Sequence, residues 1–357
     1  MKAAQALLLS ALAALAALPA GAALAQEPPD SLRPEDRRCL TCHAVRGLAV
    51  TLPSSDVLDL VVDSKGYGAS VHAGKLACVD CHPGQAVYPH PPIQAANRRD
   101  YALGYYQVCG RCHFANYSRT LDSVHYEVLA RGFRDAPTCT DCHGSHNIAA
   151  PSEPRSRIAQ RCGTCHGETY TKYAESAHGS ALLEEANPDV PVCTTCHGVH
   201  NIQLPRTLAM RYASVDLCAR CHEDKELAAN YGLSPKVSQT YLDDFHGKTI
   251  AFYREEGAKV WPQTPVCTDC HGVHDISPVD DPDSPVIKAN LLATCQKCHP
   301  DATANFPSAW LSHYEPGPGK ATLVYAVRLF YTFMIPTMLG GLALHVLLDI
   351  WRLARNR

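Results

Sequence analysis

The sequence predicts a mostly α-helical chain with extensive loops and little β, closed by one C-terminal transmembrane helix. Three observations point there. A Cys-x-x-Cys-His string recurs nine times in 357 residues and uses all 18 cysteines. Aromatic residues make up only 7%, with seven Phe, too few for a large conventional side-chain core. An apolar run of 23 residues, Leu329 to Trp351, lies close to the C-terminus.

The nine strings carry the chemistry. They are Cys39, Cys42 and His43; Cys78, Cys81 and His82; Cys109, Cys112 and His113; Cys139, Cys142 and His143; Cys162, Cys165 and His166; Cys193, Cys196 and His197; Cys218, Cys221 and His222; Cys267, Cys270 and His271; and Cys295, Cys298 and His299. Cys-x-x-Cys-His reads as c-type haem attachment. Two thiols add to the two vinyl groups of one haem, and the adjacent histidine binds the iron from the proximal side. A zinc site or a disulfide needs no histidine after the second cysteine. Histidine is about one residue in 19 here, so nine of nine by chance is on the order of 10⁻¹¹. Nine haem c groups are therefore expected. They take the place of a packed core, with short helices and ordered loops around them.

Residues 1–25 begin with Lys2, continue through an Ala/Leu-rich stretch and end in Ala23-Leu24-Ala25, the pattern of a cleaved secretory signal. Export suits the cysteines, since the bacterial periplasm is oxidising. The formal charge of −3 becomes −4 without Lys2, 31 basic against 35 acidic residues. Roughly 18 haem propionates make the holoprotein clearly acidic, which leaves a nucleic-acid role without support. Leu329 to Trp351 is about 34 Å long as a helix, against a hydrocarbon core of about 30 Å. Arg352, Arg355 and Arg357 follow it, placing the C-terminus in the cytoplasm and the haem domain on the periplasmic face of the inner membrane.

Between these ends, residues 26–320 read as a nonahaem domain, and residues 321–357 as the membrane helix with a short basic tail. Two-haem repeats fall near 39–90, 109–146, 162–200 and 218–274, and a last haem at 295–313. Three repeats share one order: a haem motif, a lone histidine, then TCTDCHGSHNI, VCTTCHGVHNI or VCTDCHGVHDI. Ser70, Ser123, Ser176 and Asp244 each stand two residues before a lone histidine and read as helix caps. Proline-rich breaks at Pro89–Pro92, Pro151–Pro154 and Pro278–Pro285 separate units, and the extra residues from Glu223 to Thr240 read as a surface insertion.

Of 19 histidines, nine are proximal. The remainder are His72, His90, His125, His146, His178, His200, His246, His274, His313 and, within the apolar run, His345. That leaves nine spare histidines in the haem domain for nine irons, which predicts bis-histidine ligation throughout. Only Met210 of the four methionines lies in that domain, so methionine is not the general distal ligand. His146, His200 and His274 lie three residues beyond a proximal histidine, on the wrong side of their own ring, and are each expected to reach a neighbouring haem. Bis-histidine ligation lacks the methionine that raises the potential, so low potentials follow.

The units SVHYEVLARGFRDAPTCTDCHGSH and SAHGSALLEEANPDVPVCTTCHGVH resemble those of multihaem c-type cytochromes, in particular the NapC/NirT, octahaem and hydroxylamine-oxidoreductase-like groups. The resemblance runs from Cys39 to His313 and implies a multihaem cytochrome c fold that conducts electrons. Cytochrome c nitrite reductases typically use a Cys-x-x-Cys-Lys motif, and none occurs here. The expected role is that of a non-enzymatic, membrane-anchored carrier. It relays electrons between the quinone pool, or a membrane cytochrome b or quinone-handling subunit, and periplasmic or outer-membrane cytochromes. The alternative is a reductase or oxidase of a small nitrogen or sulfur compound with one open haem site; the nine-for-nine count argues against it. His345, with Asp349 one turn on, is a candidate to hold a haem b or to touch quinone beside a partner subunit, since an ionisable residue in a membrane helix faces protein or water.

Overall fold

Proline and glycine interrupt the chain so often that long helices have little room to form. In the computed structural model, which describes residues 32–151, 153–255, 264–278, 280–309 and 313–356, one helix before the C-terminal span exceeds 11 residues: Leu208–His222, at 15. The molecule is mostly helical with loops and little β. Among the described residues the only sheet pairs Ala49–Thr51 with Val57–Asp59, antiparallel, with Ala49 opposite Asp59. The secretory signal expected over 1–25 lies outside the described residues.

The chain divides into two units. The first takes residues up to Tyr170 together with Pro191–Leu204. Its buried apolar residues are few and mostly small: Leu32, Leu40, Leu52, Ala77, Ala136, Ala159 and Val192. Asp36 is also fully buried, at 0% exposure. One Asp36 carboxylate oxygen accepts the backbone N–H of Cys78 at 2.8 Å, tying the first haem-motif helix, Pro34–His43, to the start of the second motif.

The second unit takes Thr171–Val190 and Pro205–Arg357. It has a small side-chain core of Tyr212, Val215, Tyr241, Ile250 and Val266, with Leu242 and Cys267 against it. Tyr241 closes this core by donating its hydroxyl hydrogen to the Pro265 carbonyl at 2.7 Å, so its one polar atom is satisfied. The residues expected as a surface insertion, Glu223 to Thr240, are mostly exposed and partly helical. They form the helix Lys225–Asn230 and open the helix Val237–Asp243, burying Ala228 and Ser238 and delivering Tyr241 to the core. Asp224 caps the first of these helices by accepting the N–H groups of Glu226 and Leu227, both at 2.9 Å.

The C-terminal helix is longer than the apolar run, extending from Thr322 to Arg355. Its 34 residues give about 51 Å. Its apolar window has mean hydropathy 1.7 and is 0% buried, so by length and composition it can cross a bilayer.

Candidate functional site

One helical turn is enough to gather a haem motif. In a helix, residues three and four apart share a face, so both cysteines and the following histidine point the same way. The turns are closed by backbone bonds: the amides of His82, His113, His166 and His299 donate to the carbonyls of Cys78, Cys109, Cys162 and Cys295 at 2.8–3.0 Å. The motifs differ in how they end. Cys139–His143, Cys193–His197 and Cys267–His271 are five-residue helices whose third side chain turns back on the N-terminus. Asp141, Thr195 and Asp269 accept the amides of Thr138, Val192 and Val266 at 2.7, 3.1 and 2.6 Å. Each then stops at a glycine, Gly144, Gly198 or Gly272, with φ near +80° (78, 77 and 83°). A side chain there is strained, and this reversal is what carries the second histidine of CHGxH away from its own motif.

The structure brings the histidines together in pairs drawn from distant segments. Ring centroids lie 6.1 Å apart for His43 and His90, 6.0 Å for His72 and His113, and 6.0 Å for His82 and His146. They lie 6.2 Å apart for both His125 with His166 and His143 with His200. In the second unit the values are 6.3 Å for His178 with His222, 6.3 Å for His246 with His299, and 6.1 Å for His271 with His313. Two imidazoles on opposite sides of one iron, each nitrogen about 2 Å from it, place their centroids about 6.3 Å apart. Of the remaining two, His197 belongs to the first unit and His274 to the second, and each has interactions of its own. His345 lies on the C-terminal helix.

The donor chemistry fits haem. Among the described residues, no three or more His, Cys, Asp or Glu side chains gather as they would around a bare metal ion. Donors in opposed pairs suit an iron whose other four positions are already filled by a porphyrin. Three of these histidines have Nδ1 engaged in the way a metal-binding imidazole requires. His43 Nδ1 donates to the Leu60 carbonyl at 2.8 Å, His90 Nδ1 to the Val87 carbonyl at 2.7 Å, and His82 Nδ1 to the Tyr105 hydroxyl oxygen at 3.0 Å. With Nδ1 so engaged, Nε2 is left for the metal. Apolar side chains stand exposed beside the ligands: Val71 next to His72, Phe114 next to His113, Val199 next to His200, Phe245 next to His246. They offer the apolar walls that a flat ring needs.

Two backbone devices set the pairs. The amides of Val71, Val124 and Ala177, each one residue before a lone histidine, donate to the carbonyls of Ile148, Ile202 and Ile276, each two residues after the second histidine of a CHGxH string, all at 2.8 Å. The other is the helix start. Ser123 and Ser176 cap the helices Val124–Ala130 and Ala177–Glu184, accepting the amides of Tyr126 at 3.2 Å and Gly179 at 3.0 Å. Ser70 departs from the expected helix cap: its hydroxyl accepts the His72 amide at 3.3 Å within a series of turns, because Gly74 takes φ +69° soon after. Asp244 follows the helix Val237–Asp243 directly and precedes Phe245–Glu255.

Residues 132–223 match a protein-family model described as Cytochrome c3. Over that stretch the chain carries a multihaem domain of the cytochrome c3 family. No curated protein and no solved structure matches the chain. The cytochrome c3 stretch contains the motifs that begin at Cys139, Cys162, Cys193 and Cys218.

The cysteines show which motifs are neighbours. The thiols of Cys39 and Cys78, Cys109 and Cys139, and Cys162 and Cys193 in the first unit, and of Cys218 and Cys267 in the second, lie near enough to perturb one another. Cys81 feels Cys109, Cys142 feels Cys162, and Cys270 feels Cys295. Within each unit, then, motif order along the chain is motif order in space. Burial, with a neighbouring histidine second, lowers His82 and His178 to about 4 from 6.5, and lowers His72, His125 and His271 as well. A low value keeps the imidazole neutral, the form in which it ligates metal.

Sequence reasoning assigned no role to Ile148, Ile202 and Ile276, to Asp36, or to Tyr105. The isoleucines were visible as the last letter of HNI, HNI and HDI. Nothing in the sequence singled out the other two.

Proposed function

We propose that the chain is a periplasmic electron carrier that holds nine c-type haems, attached at the nine Cys-x-x-Cys-His motifs with bis-histidine ligation, and is anchored by its C-terminal helix. The observation that carries this is the set of eight histidine pairs with centroids 6.0–6.3 Å apart. When bound, haem supplies a one-electron Fe(III)/Fe(II) couple. The protein's own contribution would be to offer a pair of imidazoles to each haem, to engage Nδ1 of His43, His82 and His90 on backbone or phenol oxygens, and to line up motif after motif at close range. An iron with two histidines has no open position for a substrate, so the reading is conduction. The electrons pass between the quinone pool, or a membrane cytochrome b or quinone-handling subunit, and periplasmic or outer-membrane cytochromes. His345, on the C-terminal helix, would contact that membrane partner, or a haem b or quinone shared with it. Spectroscopy of the anaerobically purified holoprotein, with mass spectrometry for nine haems, is the test. Uniformly low-spin iron is expected; a high-spin haem that binds nitrite or sulfite would replace this reading with a catalytic one.

A further inference from the structure

The join between the haem domain and the C-terminal helix is folded, and it ends on a haem ligand. His313 pairs with His271 at 6.1 Å, the two rings tilted by only 23°. The next residue, Tyr314, has its ring under the Lys320 ammonium, 3.4 Å from the centroid. Between them the chain reverses tightly: the Gly317 amide donates to the Lys320 carbonyl at 2.8 Å, and the Lys320 amide to the Gly317 carbonyl at 3.2 Å. Glu315 is held from the domain side by the Lys236 ammonium at 2.7 Å. Ala321, at φ +53° and ψ +47°, then turns the chain into the helix, where the Thr322 hydroxyl donates to the Pro318 carbonyl at 3.0 Å.

An open tether of nine residues reaches about 30 Å. This one is doubled back on itself, and the contact Tyr314–Lys320 leaves only Ala321 before the helix begins, about 7 Å of chain from Lys320 to Thr322. Thr322 stands about 10 Å above Leu329, where the apolar run opens. A headgroup layer is about 5–8 Å thick. Tyr314 and its neighbour His313 are thereby held just above the lipid headgroups, with a lysine and a tyrosine that suit that polar, half-wet layer. His313 is also the last of the 18 haem-domain histidines along the chain; His299 is the next nearest to the helix in sequence.

Resting on the reading above, we infer that the His271–His313 pair is the membrane port of the chain, the ligand pair at which electrons pass between a bilayer-dissolved quinol and the haem row. Its neighbours suit a two-electron donor. The port motif lies between the motif of Cys218, through the Cys218–Cys267 contact, and that of Cys295, through Cys270. A quinol gives two electrons and two protons: two ferric irons become ferrous, the port and then a neighbour, while both protons go to periplasmic water at the headgroup surface and the quinone remains in the lipid. Lys320, Tyr314 and Glu315 act as positioning residues, fixing the height of the port above the bilayer.

The test uses the full-length holoprotein in lipid nanodiscs. Cryo-electron microscopy should place the iron between His271 and His313 nearer to the lipid surface than any other; a different iron nearest the lipid overturns the inference. Inserting six Gly/Ser residues between Lys320 and Ala321 should slow stopped-flow reduction by duroquinol at least tenfold, while reduction by methyl viologen from the aqueous side stays within twofold. Tyr314→Ala, which releases the clamp without lengthening the chain, should give a smaller loss in the same direction. Equal duroquinol rates in wild type and insertion variant overturn the port alone. A wild type that duroquinol does not reduce overturns the quinone link of the proposed function, and the port with it.

Discussion

The Val124 amide donates to the Ile202 carbonyl at 2.8 Å, and through that one bond His125 is registered against His200. The two histidines belong to different pairs, His125 with His166 and His200 with His143. Val124 is the first residue of its helix, and Ser123 before it is extended, at φ −92° and ψ 150°. Proline is tolerated at that first position and prefers an extended predecessor. Val124→Pro should therefore delete the bond and leave the helix, at a cost of about 0.5–1.5 kcal/mol in denaturant unfolding. A loss beyond about 3 kcal/mol would mean that the helix itself had failed.

Gly179 follows His178 where a Cβ would sit 1.7 Å from the Tyr173 carbonyl oxygen. Gly179→Ala forces backbone apart and should cost more than about 4 kcal/mol, or abolish accumulation of the folded holoprotein. Gly84, with nothing within 4 Å of its would-be Cβ, is the matched control, and Gly84→Ala should change stability by less than about 0.5 kcal/mol. Similar losses in the two variants would show that the close approach at Gly179 is relieved elsewhere.

His90 lies in an exposed loop opposite His43. His90→Ala should leave folding intact and one iron with a single protein ligand. Carbon monoxide titration of the reduced protein is then expected to show about one haem in nine newly reactive. An unaltered spectrum would remove His90 from the ligand set.

Tyr105 accepts the Nδ1 hydrogen of His82 and passes its own hydroxyl hydrogen to Tyr101 at 3.1 Å. Such a bond raises the basicity of the axial imidazole and favours the ferric state. Tyr105→Phe should move one of the nine midpoint potentials upward in spectroelectrochemical titration and leave the others in place. A downward or uniform shift would rule out this effect.

Much of the chemistry was legible because covalent haem attachment demands a local string. CTDCH contains its own helix turn, its own cap in Asp141 or Asp269 and its own stop in the glycine that follows. The capping serines at 123 and 176 were equally local. Which histidine meets which was not legible: His146 meets His82, and His200 meets His143, each from the next repeat, and the backbone bonds at Ile148 and Ile202 help to set that register. The helices after Glu223 were hidden for a related reason. Their burial rests on a few residues, Ala228, Ser238 and Tyr241, spaced too sparsely to show helical periodicity.

The pairing has a direction in time. His113, His166, His222 and His299 find partners, His72, His125, His178 and His246, that precede them in the chain. His43, His82, His143 and His271 depend on partners that follow: His90, His146, His200 and His313. A chain that emerges N-terminus first can complete the first kind of site as soon as its motif appears. The second kind must wait until a later stretch has emerged. Maturation of such sites would be staggered, four of the eight pairs closing as their motif appears and four only when a later stretch emerges, and the pair at His271 would be completed only when the residues just before the C-terminal helix come through.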